Sequence, residues 1–106
     1  MNNNCCITEK NLITINNDFG DYYWKYCYYR GLADYAEKYD FNQNKVESWR
    51  ECQGYYHTKY TTIEITLMTL GLDEYLPNIY VRQQYRGKAE IQAVVELGLA
   101  EEEGLI

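Results

Sequence analysis

The residue types best suited to chemistry are scarce in this chain, and their spacing argues against catalysis. It holds one histidine, His57, and four cysteines, Cys5, Cys6, Cys27 and Cys52. A nucleophile needs a base within reach, so only Cys27–His57 and Cys52–His57 are candidate pairs, and no neighbour of either signals activation. A metal site fares no better. There is no C-x-x-C, and Cys52 with His57 would have to recruit its remaining ligands from elsewhere, so packing is the expected role. The adjacent carboxylates Asp73 and Glu74 sit at an expected helix end, where capping explains them. No glycine-rich phosphate loop occurs. The expectation is a chain with no catalytic residue, no metal and no cofactor.

What the chain does carry is tyrosine. Residues 19–29, Phe-Gly-Asp-Tyr-Tyr-Trp-Lys-Tyr-Cys-Tyr-Tyr, hold seven aromatics in eleven positions. At 100° per residue they sort onto two faces of a helix. Trp24, Cys27, Tyr28, Gly31, Leu32, Tyr35 and Tyr39 make one stripe, and Tyr22, Tyr26, Tyr29 and Ala33 the other. One stripe is enough to seat a helix on a core. The second must be buried in the same molecule or face a partner. Tyrosine in place of leucine or phenylalanine favours the partner, because tyrosine is enriched at interface hot spots.

A second group is Tyr80-Val81-Arg82-Gln83-Gln84-Tyr85-Arg86-Gly87-Lys88, where three bases interleave with two aromatics and two amides. Tyr80, Arg82, Tyr85 and Arg86 are the residue types that stack on exposed bases or clamp phosphate, and they serve equally in a protein contact. The third group is the acidic end, Glu101, Glu102 and Glu103. Residues 89–106 hold five glutamates and no base, whereas the first 88 residues hold 11 acids and 10 bases. Nearly all of the net charge of −6 therefore sits at one end. A near-neutral body is unsuited to non-specific nucleic-acid binding, while an acidic end steers association with a basic groove.

The elements that must hold these residues read as mainly α. We expect a single-domain fold of four or five helices, with room for one short strand or hairpin. Residues 1–6 are expected to fray, with 7–106 as the globular domain. Asn11-Leu12-Ile13-Thr14-Ile15 reads as a short strand. A turn over 16–21 follows, with Asp18 or Asp21 capping a helix over 19–39. A second helix is expected over 45–53, capped by Asn44 and stopped by Gly54. Residues 58–70 suit either strand or helix. Helix is preferred because Leu70-Gly71-Leu72 places glycine just past the end and an apolar residue after it. Leu97-Gly98-Leu99 repeats that stop. Pro77 opens a segment 77–86, and Gly87 separates it from a helix over 88–97, with a hairpin about Arg86-Gly87-Lys88 as the competing reading.

At 106 residues, with one proline and seven glycines, the chain has the length and composition of one folded domain. The first residues lack the basic and apolar regions of an export signal, so free thiols in a reducing cytoplasmic compartment are expected. No apolar run has the length of a membrane span.

In type, this short Asn- and Tyr-rich chain with its acidic end at Glu101–Glu103 resembles small proteins of phages and other mobile elements. It is similar above all to anti-CRISPR inhibitors of bacterial nucleases. The resemblance implies a non-enzymatic inhibitor that binds a nuclease or effector protein. Tyr22, Tyr26, Tyr29, Tyr80, Arg82, Tyr85, Arg86 and Glu101–Glu103 are the expected contact residues. Two other readings remain open at this point. One is a binder of single-stranded nucleic acid through residues 80–86, and the other a phage protein that self-associates through its tyrosine face.

Overall fold

The computed structural model describes residues 8–106. Along the chain run α1 (Glu9–Lys38), α2 (Gln43–Thr69), one turn of 3₁₀ helix (Asp73–Tyr75) and α3 (Ile79–Glu96). The fold is mainly α as expected. Among the described residues, however, there are three α-helices where four or five were expected, and neither a strand nor a hairpin. The expectations for residues 1–6, and for Cys5 and Cys6, lie outside the described residues.

Each correction comes from a helix that runs through an expected break. The strand expected at 11–15 is the start of α1, and Asp18 and Asp21 lie inside that helix. Thr8 is its N-cap instead, its hydroxyl accepting from the Asn11 amide at 3.1 Å. Leu12, Ile15 and Phe19 recur at helical spacing, and Leu12 and Phe19 are buried, so tertiary packing overrides the β propensity of Leu-Ile-Thr-Ile. Gly54 does not stop α2, which continues to Thr69 with Asn42 as its cap. Gly87 does not divide α3, which starts after Asn78 and runs unbroken to Glu96. A glycine inside a helix costs only about 1 kcal/mol relative to alanine, less than one well-packed side chain contributes.

The stops that do operate are the two Leu-Gly-Leu sequences. After α2 the Leu72 amide donates to the Leu67 carbonyl at 2.8 Å and the Gly71 amide to Met68 at 3.1 Å. After α3 Leu99 donates to Val94 and Gly98 to Val95, both at 3.0 Å. Both glycines are left-handed, with φ of 70° and 71°, the conformation this cap requires. The helical reading of 58–70 rested on this signal.

α1 is the central element and packs on both other helices. α2 lies antiparallel to it, because Val46 near the start of α2 packs with Ala33 and Ala36, while Tyr60 further on meets Phe19. α3 runs parallel to α1. A Cβ on Gly20 would lie 2.9 Å from the Tyr85 hydroxyl, and one on Gly31 would lie 3.1 Å from the Ala93 methyl. These two glycines set the distance between α1 and α3.

The buried face of α1 turns along its length. Leu12, Phe19 and Cys27 are buried on one side, and Leu32, Ala33 and Ala36 on another, roughly a third of a turn away at 100° per residue. The second set closes a small core with Val46, flanked by Trp49 and Leu97. The tyrosine-rich stretch 19–29 carries Phe19 and Cys27 of the first set and ends just before the second.

Candidate functional site

Two aromatic runs from two helices build the site. α1 contributes Phe19, Tyr22, Tyr23, Tyr26 and Tyr29, and α2 contributes Tyr55, Tyr56, His57 and Tyr60. Because the helices are antiparallel, the runs interleave. Tyr29 stacks on Tyr56, with centroids 5.7 Å apart and planes 4° apart, and Tyr22 stacks on the same ring at 6.2 Å. Tyr26 meets Tyr60 at 5.2 Å and His57 at 5.4 Å. Tyr23 and Phe19 present edges to Tyr60 at 5.1 Å and 5.6 Å. Offset and edge-on pairs at these distances are the favourable geometries for rings. The stripe Tyr22, Tyr26 and Tyr29 is thus half-buried against α2, and each ring keeps an outer edge.

Burial grades the hydroxyls of this seam. Burial pushes Tyr60 up to about 12, with Tyr26 and Tyr23 adding to the effect. Tyr23 and Tyr29 are raised by burial as well. These hydroxyls stay neutral at physiological pH and act as dipoles, not as bases. Burial also raises the Cys27 thiol, the opposite of what a nucleophile needs. Among the described residues no group of three or more His, Cys, Asp or Glu side chains is placed to hold a metal ion.

Beside the seam is an open groove of about 390 Å³ lined by Tyr26, Arg50, Gln53, Gly54 and His57. Arg50 forms its rim. It donates to Gln53 and to Asp34 at 2.8 Å each, and also to Glu37, so the guanidinium is charge-compensated. Gly54 leaves bare helix backbone in the groove, with nothing apart from its own helix within 4 Å of where a Cβ would stand. The groove therefore offers two ring faces, an amide and an uncovered stretch of helix. That surface suits a planar group or a close-approaching backbone and supplies no reacting group.

The other expected contact residues lie elsewhere. Arg82 reaches inward, its guanidinium 4.8 Å from the Phe19 ring centroid and 5.9 Å from that of Tyr23. It donates to Glu64 at 2.7 Å and to the Pro77 carbonyl at 3.1 Å. Tyr85 packs on Gly20. Arg86 pairs with Glu90 at 3.3 Å. Tyr80 stands 73% exposed. At the acidic end Glu101 and Glu102 are exposed. Glu103 instead accepts from Lys38 at 2.7 Å and from the Tyr39 hydroxyl at 2.6 Å, and the Lys38 bond leads the causes that hold its carboxyl below the usual range. Glu103 thus sits at the C-terminal end of α1 and Arg82 against its middle turns, roughly 25 Å apart along the helix at 1.5 Å per residue. The ten residues do not gather into one site.

Tyr22, Tyr26 and Tyr29 of the seam were named from the sequence, whereas Phe19 and Tyr23 of α1 and the α2 half were not. The signal was present, since Tyr56, Tyr60, Ile63 and Leu67 recur at i, i+4, i+7 and i+11. Ending the second helix at Gly54 hid it. Comparison of the chain with protein-family models, curated proteins and solved structures finds no match.

Proposed function

We propose that this chain is a non-enzymatic interaction protein that docks on another protein through the tyrosine seam and the groove over Gly54. The observation that carries this reading is Gly54 itself. A glycine in mid-helix costs about 1 kcal/mol, and nothing inside the molecule needs its lack of a side chain. Gly20 and Gly31 are different, because neighbouring side chains fill the space beside them. At Gly54 the space is left for something from outside. Rings lining such a space supply rigid contact area at small entropic cost.

The particular partner we propose is a nuclease or other nucleic-acid-processing effector of a bacterial defence system, with the chain as its inhibitor. This rests on the resemblance in type to small anti-CRISPR inhibitors and on the exposed Glu101 and Glu102, which suit a basic groove. The single-strand-binding alternative has less to draw on, because Arg82 and Tyr85 face inward and Arg86 is paired. The test is target cleavage by purified defence nucleases with and without the chain. Inhibition is expected from wild type and from an Arg86→Gln variant, and should be lost when Tyr26→Ser and His57→Ala are combined. Inhibition that survives the double change would remove the seam from the interface.

A further inference from the structure

The outer edge of α3 carries an arrangement that the seam does not use. α3 buries Ala89, Ala93 and Val94, with Ala93 against Gly31. Away from that face Tyr80, Ile91 and Val95 stand 73%, 52% and 52% exposed. At 100° per residue Tyr80, Gly87, Ile91 and Val95 fall within about 80° of one another, which makes one stripe. Apart from its own helix, nothing lies within 4 Å of where a Cβ on Gly87 would stand, and the space opens into a hollow of about 270 Å³ that Gly87 and Ile91 share with Tyr35, Glu103 and Leu105. An apolar stripe of this kind on a surface helix marks a contact.

Charge along the same edge selects the partner. Residues 79–88 hold Arg82, Arg86 and Lys88 and no acid, and residues 89–106 hold five glutamates and no base. Arg82 is taken by Glu64, Arg86 by Glu90, and Glu103 by Lys38. Among the described residues Lys88, Glu96, Glu101 and Glu102 make no ion pair. Arg82 is turned inward and Arg86 is paired, so the edge carries one free base, Lys88, with the free acids Glu96, Glu101 and Glu102 beyond it.

We infer that the α3 edge is a self-association surface, on which a second copy of this chain packs its own α3 antiparallel about a two-fold axis near Ile91. A parallel pair would set Lys88 against Lys88 and acid against acid. The antiparallel pair brings Lys88 of each copy towards the acidic end of the other, and it also opposes the two helix dipoles. Such an interface is isologous, with the same patch used on both sides. Ile91 meets its counterpart at the axis, and Val95 of each copy lies over Gly87 of the other, where the missing side chain leaves room for it.

Each copy carries −6, which opposes encounter at low salt. At about 0.15 M the Debye length of about 8 Å confines the interaction to neighbouring groups, and there the signs are opposite. A single helix face about 27 Å long is small for a specific interface, so the dimer forms in the micromolar range.

Sedimentation equilibrium of the full chain from about 1 μM to about 1 mM tests this. The mass should rise from one chain to two. Ile91→Asp and, separately, Val95→Asp should hold it at one chain with an unchanged thermal midpoint, since both side chains are half exposed. Lys88→Glu should weaken dimerisation about tenfold. Mixing that chain with Glu96→Lys chains should restore it. A monomer throughout the range, a dimer that persists in Ile91→Asp, or a mixture that does not recover would overturn the proposal. None of these outcomes bears on the seam, which lies on α1 and α2.

Discussion

The guanidinium of Arg82 touches all three helices at once. It projects from α3, lies over Phe19 and Tyr23 of α1, and bonds to Glu64 of α2. Both side chains of the ion pair are about a quarter exposed, 24% and 26%, so each is only partly solvated. Arg82→Leu is expected to destabilise by about 1–3 kcal/mol, because Glu64 then loses its donor in a half-buried place. A urea midpoint equal to wild type would contradict this. Tyr60 gives a prediction in pH. Its pKa is raised in the folded chain to about 12 from the ordinary tyrosine value of 10.0. The stability this represents is complete below pH about 10. It is lost as pH rises towards about 12, because the unfolded chain ionises first. Tyr60→Phe should therefore flatten the alkaline loss of stability in that window while leaving neutral stability within about 1 kcal/mol. An identical alkaline profile for both chains would count against burial of the Tyr60 hydroxyl.

The turning buried face of α1 explains why its amphipathic pattern is hard to read. Leu12 and Phe19 mark one stripe and Leu32, Ala33 and Ala36 another, so no single stripe spans all 30 residues. The aromatic run within it was legible because its density does not depend on phase. The helix over 58–70 was legible because the Leu-Gly-Leu stop is a backbone signal independent of packing. Gly54, Gly87 and the β-branched run at 11–15 misled for one reason. Each is a local preference of about 1 kcal/mol or less, and burial along a long helix outweighs it. With α2 continuous, Tyr26 and Tyr29 stack inside the monomer as well as facing outward. Tyr26→Ala and Tyr29→Ala are each expected to cost about 1–3 kcal/mol of folding free energy. Tyr80→Ala, exposed on α3, should stay within about 0.5 kcal/mol. Equal effects at all three positions would mean that the seam does not hold α1 to α2.

Across the molecule the charge is divided between a held acid and free ones. Glu103 is fixed by Lys38 and Tyr39, whereas Glu101 and Glu102 stand exposed. Glu101→Gln/Glu102→Gln should slow association with a basic partner about tenfold or less, most at low salt, with little change in dissociation. An association rate equal to wild type at low salt would make these acids a solvated end only. Glu103→Gln should act on stability instead. Its carboxyl is held below the ordinary range, so its contribution is present at neutral pH and disappears as pH falls through the folded value. The central claim, that the space over Gly54 is kept for a partner, is tested most directly by Gly54→Leu in the nuclease-inhibition assay. Leucine is the better helix former by nearly 1 kcal/mol, its Cβ meets no neighbour at this position and the rest of its side chain enters the open groove, so the thermal midpoint should not fall. Inhibition should be lost by tenfold or more in a chain at least as stable as wild type. Full inhibition by that stable variant would contradict it.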